Sequence, residues 1–143
     1  MSKMEKRKIV CLPFLLVIAI SVFSGCGSKE FDKNYDNFIS SYLKVTEVLD
    51  VKDPFTSIEK LNQEPMLKEL QIMKDVVDQI GQEASSESEK RIYDNVVKYY
   101  SGLEYLQYSA KNKKELTEEA RGKLDSELTS ALMRRNSIIR GDI

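Results

Sequence analysis

The side chains of this sequence that could carry chemistry are few. Histidine is absent from all 143 residues, and only two cysteines occur, Cys11 and Cys26. Without an imidazole, and with no thiol after Cys26, a serine or cysteine nucleophile has no ordinary base to activate it. Zinc and haem lack their usual ligands for the same reason. Two carboxylates would suffice for glycoside hydrolysis, but the acids here fall on helix faces and helix starts, and no apolar pocket is implied that would raise one of their pKa values. The expectation is a non-catalytic chain with no cofactor and no metal. What remains is one cysteine and one cluster of tyrosines. Cys26 follows Ser24 and Gly25 at the end of an uncharged run. Tyr93, Tyr99, Tyr100, Tyr105 and Tyr108 share a short segment that holds five of the seven tyrosines.

The surroundings of Cys26 have a recognisable order. Lys3, Lys6, Arg7 and Lys8 make the start basic. Ile9 to Phe23 carries no charge and is rich in Leu, Ile, Val and Phe, and small residues follow. A basic start, an apolar stretch and small residues are the three parts of a secretory signal. The lysines and arginine hold that start on the cytoplasmic side.

Ser24-Gly25-Cys26 after such a stretch resembles the lipobox of bacterial lipoproteins, with Phe23 standing where leucine is usual. The resemblance extends from Met1 to Cys26 and no further. It implies a diacylglyceryl group on the Cys26 thiol, cleavage before Cys26, and a chain anchored to a membrane through its N-terminal lipid. The implied location is the extracytoplasmic face of the cell membrane, or the outer membrane of a double-membrane host. Two competing readings are an uncleaved transmembrane anchor, for which the apolar run is short of the roughly 20 residues a span prefers, and release by an ordinary peptidase. Cysteine use fits lipidation. Cys11 is discarded with the signal, and Cys26 alone would otherwise be an unpaired thiol in an exported chain. The two acyl chains of a diacylglyceryl group anchor stably where one would be marginal.

Removing everything before Cys26 leaves enough chain for one domain. The signal region holds four cations and Glu5, so the remainder carries 18 Lys and Arg against 22 Asp and Glu. That mild acidity, with the exported location, argues against nucleic acid as a partner.

Gly27 to Glu30 reads as a short tether, and residues 31–143 as the folded domain. Helix one is expected over about Phe31 to Val51, with Tyr35, Phe38, Tyr42, Val45 and Leu49 on one face and Asp53-Pro54 ending it. Thr56 to Glu59 fits a capping box that opens a short turn or helix. Helix two is expected over Glu64 to Ile80, with Gly81 as its stop. Gln82 to Ser88 reads as a loop, and Ser86 to Glu89 as a second capping box. Helix three, over Glu87 to Ala110, has the cleanest heptad: Ile92, Val96, Tyr99, Leu103, Leu106 and Ala110. Helix four begins near Leu116 or Thr117 and runs to about Ile139. No segment alternates as a strand would. The fold class is all-α: an antiparallel bundle of three to four helices with coiled-coil-like packing and short connections.

On helix three, Tyr93 and Tyr100 flank the core stripe, and Tyr105 and Tyr108 point away from it. Exposed tyrosines anchor protein partners or stack on sugars, so these four are the candidate contact residues, with Tyr105 and Tyr108 foremost. Flanking tyrosines also serve simply to cover a bundle edge. Arg134, Arg135 and Arg140 suit a helix C-terminus and also suit anionic headgroups. Arg140-Gly141-Asp142 spells an integrin-type tripeptide in the poor context of a helix end. The functional expectation is a helical interaction module for another envelope protein. The alternatives are a binder of a small ligand, lipid or cell-wall glycan, and a self-associating spacer.

Overall fold

A computed structural model describes residues 26–142; the signal-peptide reading of residues 1–25 lies outside them. Among the described residues there are five α-helices and no strand. They are α1 (Cys26–Glu47), α2 (Pro54–Glu59), α3 (Met66–Glu83), α4 (Glu87–Lys111) and α5 (Glu118–Arg140), with a 3-10 turn over Lys60–Asn62. Four long helices make the bundle, and α2 with the 3-10 turn closes one end.

Pairwise contacts give the topology. Asn34 reaches Glu83 and Lys44 reaches Glu69, so α1 and α3 run antiparallel. Tyr93 packs on Gly81, which turns α4 back along α3. Tyr105 bonds to Ala120 while Tyr99 lies under Arg134, so α5 descends along α4. Tyr42 meets Ala131 and closes the ring between α1 and α5. The result is the expected up-down-up-down bundle. At the end far from Cys26, Gln107 Nε2 donates to the Leu61 carbonyl at 3.4 Å, and Lys113 pairs with Glu59. The 3-10 turn and α2 are thereby seated against the last turns of α4.

The apolar stripes meet in one core. Phe31, Phe38, Tyr42, Val45, Met73, Ile80, Leu103, Leu106, Leu124 and Leu128 are all at most 1% exposed. Fully burying each of the larger side chains contributes about 1.5–3 kcal/mol relative to exposure. Polar pins set the register of α1 on α3. Asn34, itself buried, donates to both Glu83 oxygens at 3.1 and 3.0 Å. Ser41 and Lys44 donate to Glu69 at 2.7 and 2.9 Å. Burial works to raise the Glu69 carboxyl, but the hydrogen bonds from Lys44 and Ser41 outweigh it and hold the group below its ordinary value.

Several boundaries differ from expectation. Helix α1 begins at Cys26, so the residues read as a tether are its first turns, and it ends at Glu47 rather than Val51. Thr46 Oγ1 bonds back to the Tyr42 carbonyl at 2.7 Å, and Asp50 accepts from the Lys52 N–H at 2.9 Å. These side-chain bonds compete with continued helix. The capping box at Thr56 does not form. Proline suits the first helical position because its missing N–H would be unpaired there anyway, so α2 starts at Pro54 and takes Thr56 into its interior.

Gly81 does not stop α3, which continues to Glu83. A Cβ at Gly81 would lie 2.8 Å from the Tyr93 ring, so this glycine is a seat for that ring. The second capping box is present. Ser86 Oγ accepts from the Glu89 N–H at 3.2 Å, and the Glu89 carboxylate accepts from the N–H groups of Ser86 and Ser85 at 2.8 and 2.9 Å. Those backbone bonds pull the Glu89 pKa down to about 2. Its contribution to the helix start is in place above pH 4.5 and fades as pH falls toward 2.

The two glycines inside α4 and α5 have different surroundings. Gly102 is buried, and a Cβ there would meet Glu127 Oε2 at 2.8 Å. Gly122 is exposed, with nothing within 4 Å of such a Cβ. Gly122→Ala is therefore expected to raise stability by about 1 kcal/mol through helix propensity. An unchanged or lowered urea midpoint would contradict that.

Candidate functional site

The tyrosine cluster lies on α4, and helix geometry assigns each ring a direction. At about 100° per residue, Tyr108 is on the side opposite Leu106 and Ala110. It is 59% exposed, on the turns nearest the end that α2 closes. The last turns of α4 therefore present one large, uncommitted aromatic ring to solvent.

The other three candidates are built into the fold. Tyr93 is half-buried and packs on Gly81. Tyr100 is half-buried beside α3; burial pushes its phenol pKa up, and the Glu104 carboxylate adds to the rise. Tyr105 corrects the outward reading. It is half-buried and packed against the core, and its hydroxyl donates to the Ala120 carbonyl at 3.0 Å. That bond ties α4 to the first turn of α5. The reason is angular: three residues fall short of a full helical turn, so Tyr105 is rotated around α4 from Tyr108, toward α5. Tyr105 and Tyr108 are thus not an exposed aromatic pair.

Behind the tyrosine face is a layer that ties three helices together. Tyr42 of α1 is fully buried, its ring centroid is 5.5 Å from that of Tyr99 on α4, and its hydroxyl donates to the Ala131 carbonyl of α5 at 3.3 Å. Burial pushes the Tyr42 phenol up to about 12, with the Arg134 guanidinium beside it opposing the rise. Arg134 lies 4.8 Å over the Tyr99 ring.

No family of proteins, curated protein or solved structure matches this chain. The site must therefore be read from its own chemistry. Among the described residues no group of His, Cys, Asp and Glu is arranged to hold a metal ion. No helix among them is long and apolar enough to cross a membrane.

Two sets of residues that the tyrosine argument passed over stand out. Among the large apolar side chains, Met133 and Ile139 of α5 are 65% and 59% exposed, and Val51 and Leu67, at the end away from Cys26, are 54% and 37% exposed. The second set forms a notch between α4 and α5, of about 310 Å³, over Gly102. Lys98, Tyr105, Lys123, Glu127 and Arg134 line it. A glycine inside a strong heptad was the only hint, because Lys98 on α4 and the charged residues of α5 meet only once those helices pack.

The last motif also finds its role. Gly141 takes the left-handed conformation (φ 75°), and its N–H and that of Asp142 return to the carbonyls of Ile138 and Ser137. Arg140 Nε donates to Asp142 at 2.6 Å. Arg140-Gly141-Asp142 is thus the C-terminal cap of α5.

Proposed function

We propose that this chain is an exported lipoprotein. It is cut before Cys26, carries diacylglyceryl on that thiol, and presents its helical bundle to another protein of the cell envelope without catalysing a reaction. The anchor reading rests on the ordered signal residues and Ser24-Gly25-Cys26. Because α1 begins at Cys26, the anchor residue and the bundle are joined without an intervening linker. The contact reading is carried by Tyr108, an aromatic ring exposed on the outward side of α4. Val51 and Leu67 are also exposed, at the end of the bundle away from Cys26.

The test is crosslinking in the native host followed by purification of the full-length protein, with intact mass read at its N-terminus. The expected result is a diacylated Cys26 and one reproducible envelope protein joined through the Tyr108 face. Cys26→Ser should remove the acyl mass altogether. A retained signal segment would overturn the lipoprotein reading, and a lipidated protein that crosslinks only to itself would replace the interaction module with a spacer.

A further inference from the structure

The notch between α4 and α5 gathers an excess of cations. Lys98, Lys123 and Arg134 bring three cations to it against one carboxylate, Glu127, in a domain that is acidic overall. None of these four groups is within ion-pair distance of an opposite charge among the described residues. Two of the cations are held in place by aromatic rings: Lys123 Nζ is 4.3 Å from the Tyr105 centroid, and Arg134 is 4.8 Å from that of Tyr99. Such stacking leaves the N–H donors free to point elsewhere. The Tyr105 ring is itself fixed by its bond to the Ala120 carbonyl. The Arg134 guanidinium also acts on the Tyr42 hydroxyl, but its Nη1 is buried with no acceptor in hydrogen-bond geometry, and a buried guanidinium donor left unpaired is costly. At the floor Gly102 leaves a gap where a Cβ would press on Glu127 Oε2 at 2.8 Å and touch Arg134 Nη1 at 3.5 Å. The helix forgoes the better propensity of alanine to keep that gap.

We propose that this notch binds a phosphate-class oxyanion that still carries a proton or hydroxyl, such as a phosphomonoester. Lys98, Lys123 and Arg134 neutralise and hydrogen-bond the oxyanion, guanidinium groups being well matched to phosphate oxygens. Glu127 can only accept, so it takes the hydrogen bond from the hydroxyl. A phosphomonoester keeps that proton below its second pKa of about 6, whereas sulfate has none to offer. Glu127 is therefore the residue that separates the two anions. This site depends neither on the lipid at Cys26 nor on a partner at Tyr108, and its test does not involve them.

The test is calorimetric titration at pH 6 of the full-length chain in a non-ionic detergent, with inorganic phosphate, glycerol 1-phosphate and sulfate as probes. Phosphate and glycerol 1-phosphate should bind saturably, and sulfate at least about tenfold more weakly, a gap of roughly 1.4 kcal/mol. Glu127→Gln should close that gap. Gly102→Ala should abolish binding while leaving the melting temperature unchanged or raised, because the atom it meets is the far end of a flexible side chain. A second arm uses phosphatidylcholine vesicles with and without phosphatidic acid. Gly102-dependent binding to the vesicles, with none to glycerol 1-phosphate, would assign the phosphate to a lipid headgroup. The reverse would assign it to a soluble ester. Absence of binding in both arms, or binding that Gly102→Ala leaves intact, would overturn the site.

Discussion

Tyr42→Ala should lower the stability of the bundle by about 3–5 kcal/mol, the usual range for deleting a buried aromatic side chain. The loss is large because the ring is fully buried and stands between Phe38, Tyr99 and the α5 backbone at Ala131. No single helix can move to fill the space without releasing another. In a domain of this size the melting temperature should fall by roughly 10–20 °C. Tyr42→Phe keeps the ring and deletes only the hydroxyl, so at neutral pH it should cost about 1 kcal/mol.

The two proteins should then diverge at alkaline pH. The Tyr42 phenol is raised by burial from 10.0 to about 12 in the folded chain, so the folded state holds its proton more tightly than the unfolded one. Its contribution is whole below pH 10 and is lost as pH rises through 12, to a total of about 3 kcal/mol. The phenylalanine variant has nothing to lose there. The other tyrosines and lysines are common to both proteins and cancel in the comparison, apart from Tyr99, which interacts with Tyr42 directly. The stability curves should cross at about pH 11, with the variant the more stable protein above it. Urea unfolding at intervals from pH 8 to 12 measures this, and curves that stay parallel would mean that the Tyr42 hydroxyl titrates in the bundle as it does in the open chain.

The second large effect concerns binding. Tyr108→Ala should weaken partner capture by roughly 30-fold or more, the 2 kcal/mol or greater typical of an aromatic hot spot. It should leave the melting temperature nearly unchanged, since surface substitutions away from special features usually stay within about 0.5 kcal/mol. The prediction separates the two tyrosines that the sequence pairs. Tyr105→Ala removes a hydrogen bond to Ala120 and the ring beneath Lys123, so it should lower stability, and any loss of capture there would be confounded with unfolding. Crosslinking in cells, with circular dichroism on the same variants, reads both quantities. Undiminished capture by Tyr108→Ala would move the contact off α4.

Much of this architecture is local and therefore legible in the residues. The heptad from Ile92 to Ala110 marks an inward face, with Ile92 and Tyr99 half-buried at its margin, because side chains three and four apart share a side of a helix whatever surrounds them. The Ser86–Glu89 box marks a helix start because its bonds close within four residues. The anchor proposal at Cys26 rests on order along the chain alone, and the residues before that cysteine lie outside the described ones. Competition between local signals was harder to weigh: Pro54, read only as the end of the first helix, also begins α2 and pre-empts the Thr56 box.

Tertiary packing alone decided the rest. Gly81 has the look of a helix stop until the Tyr93 ring from α4 is laid across it, and then it is an interior residue of α3. Tyr105 and Tyr108 look alike along the chain, yet a fraction of a helical turn places one against α5 and leaves the other in solvent. Lys98 is separated from Lys123, Glu127 and Arg134 by more than a helix turn and a loop, and only the docking of α5 on α4 over Gly102 gathers them into one notch. A helix's own residues determine which face it must bury. Which foreign side chain is received there, and which ring is left uncovered, depends on the angle and height of its neighbours, and those are set by the packing of all four long helices together.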